Sequence, residues 1–130
     1  EKWYCRILVY SGLPDPYWEI SDTLAQSILL DYDSLPFAEE ETFDETLTGY
    51  RGCILKSDDG RLWRAFNGLI ELNDRGKISF RRDKDRSFER NILMTAPPDI
   101  LYKEMIDFES SACLFVYKNC SFLFPSRKRR

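Results

Sequence analysis

The chain has 130 residues, about one domain's length, and its 43% hydrophobic and 32% charged fractions are those of a globular protein rather than a disordered one. Nine Phe, seven Tyr and three Trp make an aromatic share of 15%, so few residues suffice for an adequate core. A net charge of −3 argues against a dedicated nucleic-acid binder, no apolar run approaches the ~20 residues of a membrane span, and the lack of histidine removes triads and metal sites that need imidazole.

In chain order, Tyr4 to Ser11 alternates and is rich in β-formers, which predicts a strand. Gly12-Leu13-Pro14-Asp15-Pro16 then makes a rigid turn, because two prolines fix φ and withhold backbone donors. Ser21 is placed to cap a helix whose apolar face is Leu24, Ala25, Ile28, Leu29 and Tyr32, with Asp22 suiting the dipole of its first turn. Asp33 to Thr48 shows no period and reads as a long surface loop holding Pro36, Phe37, Phe43 and Leu47.

The middle of the chain predicts an antiparallel meander. Strands at Tyr50–Lys56, Leu62–Phe66, Leu69–Leu72 and Lys77–Arg81 are separated by the turn signals Asp58-Asp59-Gly60, Asn67-Gly68 and Asn73-Asp74-Arg75-Gly76. Alternation puts Ile78 and Phe80 on the buried face of the last of these, with its bases pointing out. A helix follows, capped by Asp85 and striped by Phe88, Ile92, Leu93 and Ala96, and Pro97-Pro98 stops it. Pro98 is suited to open a further short helix through Ile106, and Ala112–Tyr117 and Ser121–Phe124 read as two more strands. The expected fold is α+β, an antiparallel sheet of about five to six strands with two helices packed on one face, in a single domain over residues 1–126 followed by a basic tail at 127–130.

Charge is unevenly spread. Asp31 to Thr48 holds seven acids and no base, while Arg75 to Arg90 holds seven bases against three acids. The bases interleave with Phe80 and Phe88 as in some single-strand binders, but both aromatics belong to apolar faces, so no nucleic acid is expected as partner. No glycine-rich phosphate loop or calcium loop is present, and no cofactor is implied. Carboxylate-only hydrolysis leaves no sequence signature; Asp15, Glu19, Asp58, Asp59 and Glu71 are its candidates, against simpler roles in turns.

Cys5, Cys53, Cys113 and Cys120 lack metal-type spacing, and the even count permits two disulfides, Cys5 with Cys113 or Cys120 being the expected bond. Asn119-Cys120-Ser121 is a glycosylation acceptor pattern, and Arg127-Lys128-Arg129-Arg130 has the composition of a multibasic processing site, of a localisation signal or of a solvated end. These features predict a secreted glycoprotein or another oxidising compartment, consistent with a chain that starts at Glu1 after removal of a leader.

Three segments resemble a family of small, mainly bacterial proteins of no established activity. Ser11-Gly12-Leu13-Pro14-Asp15-Pro16-Tyr17-Trp18-Glu19-Ile20 is similar to S-G-R-P-N-P-x-W-x-L, and Gly49-Tyr50-Arg51-Gly52-Cys53 to G-Y-R-G-F. Asp85 to Ala96 is similar to D-x-x-R-x-L-E-x-x-L-L-x-T-A with a shifted start. The resemblance spans residues 5–96 and implies the layout rather than a function. Leu13 and Asp15 replace the family's Arg and Asn, so a role carried by that pair does not transfer.

The functional expectation is a non-enzymatic binding protein for a protein partner, a basic one. Asp15, Tyr17 and Trp18 at the rigid turn, and Glu39, Glu40, Glu41, Asp44 and Glu45 in the acidic loop, are its candidate contacts. The competing reading of Tyr17 and Trp18 places them in the core. An immunity or inhibitor protein that covers a toxin's basic site with the loop is the alternative, and a carboxylate-based hydrolase the second alternative.

Overall fold

The computed structural model describes residues 1–9, 15–46 and 50–98. They form β1 (Trp3–Ile7), β2 (Tyr17–Ile20), α1 (Asp22–Asp33), β3 (Cys53–Ser57), β4 (Arg61–Phe66), β5 (Leu69–Asp74), β6 (Lys77–Arg82) and α2 (Ser87–Leu93), with a 3-10 turn at Lys84–Arg86 before α2. The six strands make one open antiparallel sheet in the order β2-β1-β3-β4-β5-β6, an α+β fold. The anticipated strands at 112–117 and 121–124, the helix toward residue 106, Cys113, Asn119, Cys120 and the tail at 127–130 lie outside the described residues.

The period of two on each strand sorts side chains to two faces. Trp3, Cys5 and Ile7 on β1, Cys53 and Leu55 on β3, Trp63 and Ala65 on β4 and Ile70 on β5 share the face covered by the helices. The helices bring Ala25, Ile28, Leu29 and Tyr32 from α1, and Phe88, Ile92 and Leu93 from α2. Tyr32 meets Trp63 edge-on at 6.3 Å, so that a ring edge faces a ring cloud, and packs tilted at 49° against Phe88 at 5.4 Å. Ser21 caps α1 as expected, its Oγ accepting the Leu24 amide at 3.1 Å.

The meander forms as its turns dictate. Asn67 and Gly68 take φ of 51° and 94°, and Arg75 and Gly76 take 54° and 96°, the paired positive values of a two-residue type I′ hairpin. Gly52 is required for another reason. At φ 109°, a Cβ there would stand 2.5 Å from the Ala65 carbonyl oxygen, so only glycine lets the chain enter β3 against β4.

Two expectations are corrected, on the cap of α2 and the outward face of β6, and one strand is added. Tyr17–Ile20 is a strand, paired antiparallel with β1 so that Trp18 lies opposite Cys5. Asp83 rather than Asp85 caps α2: its two carboxylate oxygens accept the Phe88 and Glu89 amides at 2.8 and 3.0 Å, while Asp85 adopts a left-handed φ of 57°. Ile78 and Phe80 do share a face, but it is the one away from the helices, because the register sets Phe80 beside Glu71 and Arg81 beside Ile70. The acidic loop is a surface segment pinned at its start: Phe37 bridges to Arg81, Arg82 donates its amide to the Pro36 carbonyl at 2.9 Å, and Ala38 donates to the Phe80 carbonyl at 2.9 Å.

Candidate functional site

From that bridge, the acidic loop runs as a strap over the outer face of β6, β5 and β4. Its anchors are side chains that the outer face presents. Arg82 pairs with Glu41 at 2.9 Å, Arg64 pairs with Glu45 at 2.8 Å, and the Arg64 guanidinium lies 4.3 Å from the centre of the Phe43 ring. The hydrogen bond and charge of Arg64 hold the Glu45 carboxyl below its usual range.

Between strap and sheet is a groove of about 620 Å³. Glu40, Glu41, Glu45 and Glu71 line it against one base, Arg64, and Phe37, Phe43, Ile78 and Phe80 form its apolar surface. Glu39 and Glu40 form no ion pair among the described residues, and Asp44 accepts the Thr46 amide at 2.9 Å. The groove therefore combines net negative charge with apolar walls, a shape suited to a cation on an aliphatic or aromatic stem.

The residues of the rigid turn serve otherwise. Asp15 accepts the Val9 amide at 2.9 Å and so closes the turn between β1 and β2. Trp18 is 7% exposed, with its indole donating to Thr95 Oγ1 at 2.8 Å, so it is core and offers no surface to a partner. Tyr17, one residue away on the alternating strand, is 64% exposed.

The hydrolase candidates sit apart. Asp15 is in the first turn and Glu71 in the groove, and Glu19 faces Lys2 at 3.7 Å. Asp59 is engaged in the β3–β4 turn, where Arg61 and Ser57 hold its carboxyl well below the usual range. No cluster of three or more Cys, Asp or Glu able to hold a metal occurs among the described residues.

Cys5 and Cys53 are buried free thiols among the described residues, and the partners expected for Cys5, Cys113 and Cys120, lie outside them. Both point from neighbouring strands into the core beneath α2. Burial pushes the Cys5 thiol up to about 12 and the Cys53 thiol upward as well, so neither forms the thiolate that reaction requires.

A second cluster lies at the entrance to α2. Glu89, 0% exposed, accepts two bonds from Arg86 at 2.9 and 2.7 Å, one from the Asn67 amide at 3.0 Å and one from the Tyr50 hydroxyl. The Cys53 thiol donates to the Glu89 carbonyl at 3.6 Å. Arg86 reaches this geometry from a left-handed φ of 56°, directly after Asp85. The three segments quoted for the family resemblance thus meet at α2, through Trp18 with Thr95 and through Tyr50 with Glu89. Sequence reasoning passed over Glu89, although its position beside Phe88 and four residues from Leu93 was a signal: an acid on an apolar stripe must have a partner.

Compared with known proteins, the chain matches no protein-family model, no curated protein and no solved structure.

Proposed function

We propose that the protein is a non-enzymatic binding protein that receives a basic protein partner on the acidic strap. One observation carries this reading. The strap holds its acids over an apolar groove on the outer face, with Glu39 and Glu40 not consumed by ion pairs among the described residues. Internal ion pairs use Glu41 and Glu45, so these two shape the strap and the remaining acids meet the partner. Trp18 has no part in the contact, and Tyr17, exposed beside the first turn, stays available to it.

The test reverses Glu39 and Glu40 to Lys and follows association with a basic protein partner obtained by cross-linking and pull-down. Charge reversal removes the steering and is expected to lower the on-rate by roughly ten-fold or more at low salt, a difference that shrinks as salt rises because screening acts over ~10 Å at 0.1 M. An on-rate that ignores both the reversal and the salt removes the strap from the interface.

A further inference from the structure

The opposite face of the sheet carries a separate concavity of about 280 Å³, between the C-terminal half of α1 and strands β4 to β6. Leu29 and Tyr32 of α1 form one wall, Trp63 and Leu72 the floor, and Ser79 and Arg81 of β6 the other wall. Four buried side-chain polar atoms lack a hydrogen bond among the described residues, and three of them belong to this cleft: Trp63 Nε1, the Tyr32 hydroxyl and Arg81 Nε. Native folds rarely leave buried donors unpaired, because each has given up water without recompense.

The other two tryptophans show the rule. Trp3 donates to Asp22 at 2.8 Å and Trp18 to Thr95 at 2.8 Å, whereas Trp63, 2% exposed, donates to nothing. The Tyr32 hydroxyl, on a residue 4% exposed, has Arg81 and Ser79 close enough to interact with it weakly, but no hydrogen bond of good geometry satisfies it. Trp63 Nε1 and Arg81 Nε can only donate and the Tyr32 hydroxyl can do either, so an acceptor is the partner that satisfies all three.

Charge narrows the class. Arg61 at the edge of the cleft is neutralised by Glu1 and Asp59 at 3.1 and 3.0 Å. The Arg81 guanidinium is held between the rings of Tyr32 and Phe37 at 4.6 and 4.2 Å, and it donates to the carbonyl oxygens of Leu35 and Asp33, with no ion pair among the described residues. One uncompensated cation beside two neutral donors favours a single negative charge. Asp33 and Asp74, also in the lining, disfavour a dianion.

We propose that this cleft binds a small organic monocarboxylate. Its oxygens accept from Trp63 Nε1, the Tyr32 hydroxyl and Arg81, and its apolar body lies against Leu29 and Leu72. Trp63 and Tyr32 are fixed in the core, so the half-buried Arg81 is the side chain that yields to admit the ligand. The cleft adjoins the root of the strap through Phe37 and Arg81, but neither Glu39 nor Glu40 lines it, so their reversal leaves it intact.

The experiment titrates the ¹⁵N-labelled full chain with benzoate, with benzamide as the uncharged counterpart and with inorganic phosphate as the more highly charged one. The expected result is a saturable shift of the Trp63 indole signal in roughly the millimolar range, with the Trp3 and Trp18 indoles unmoved. Benzamide binds about ten-fold more weakly or worse, and Arg81→Met costs benzoate about ten-fold, the usual effect of losing a charge-assisted hydrogen bond. The comparison of benzoate with benzamide uses the unaltered protein, so it decides even where Arg81→Met fails to fold. A Trp63 indole indifferent to benzoate, or equal binding of benzamide, overturns the proposal. Phosphate binding tighter than benzoate overturns the carboxylate class.

Discussion

At the scale of the residue, Glu89 is the carboxylate on which the fold depends most. Its side chain is fully buried and joins α2 to the turn after β4 and to the chain entering β3. The Arg86 fork supplies the opposing charge in the bidentate form that makes such pairs strong. Removing one partner leaves a buried charge and several unpaired donors, so Glu89→Ala is expected to cost ~3–5 kcal/mol in a denaturant melt. Tyr50→Phe removes one donor only and is expected to cost about 1–3 kcal/mol. A Glu89→Ala loss below that of Tyr50→Phe would show the cluster to be solvated. The thiols permit a separate check. Cys5 and Cys53 should resist alkylation by iodoacetamide in the folded protein and react in denaturant, read as peptide masses. Rapid native labelling at either would place it outside the core.

At the scale of the element, Asp83 shows how a short helix is made to start. Burial raises its carboxyl pKa against the pull of the Phe88 and Glu89 amides, so the folded state holds the Asp83 proton more tightly than the unfolded chain. The associated stability is complete below the unfolded value of ~3.9 and is lost as pH rises through the folded one. Asp83→Asn keeps an N-cap acceptor and removes the titration. Its stability relative to the wild type should therefore climb as pH rises above ~3.9, in melts taken across that range. A constant difference would assign the ionised form no penalty. The same element shows what was readable in advance. The stripe of Phe88, Ile92 and Leu93 gave the helix, and turn chemistry gave the hairpins at Asn67-Gly68 and Arg75-Gly76, because both signals are local. The cap fell on Asp83 because two successive left-handed residues, Asp85 and Arg86, intervene; Asp tolerates that conformation, but the Arg side chain gives no sign of it. β2 was missed because four residues between a proline-rich turn and a helix cap are too few to show a period. β6 alternated as expected, yet alternation alone does not say which face is which when a strap covers the outer one.

At the scale of the whole molecule, one sheet carries two unlike faces, a helix-covered core and an outer face under the acidic strap. The acidity of the strap was visible in the sequence; its lie across β4 to β6 was not, because it depends on Arg64 and Arg82 of distant strands. The strap's two ends are held by different forces. At one end, Ala38 and Pro36 join the backbone ladder of β6, while at the other Phe43 and Glu45 rest on Arg64. Ion pairs with an exposed partner are worth only ~0–1 kcal/mol and weaken with salt, whereas a ladder hydrogen bond is largely indifferent to it. The Arg64 end is therefore expected to open locally, well below the free energy of global unfolding. A glutamate-specific protease should cut after Glu45 faster when salt is raised to about 0.5 M, or when Arg64 is replaced by Met, which keeps the apolar stem. Exchange of the Ala38 amide, whose acceptor is the Phe80 carbonyl, should barely respond to either change. Were cleavage after Glu45 to ignore both salt and Arg64→Met, the strap would be held by packing of Phe43 rather than by charge.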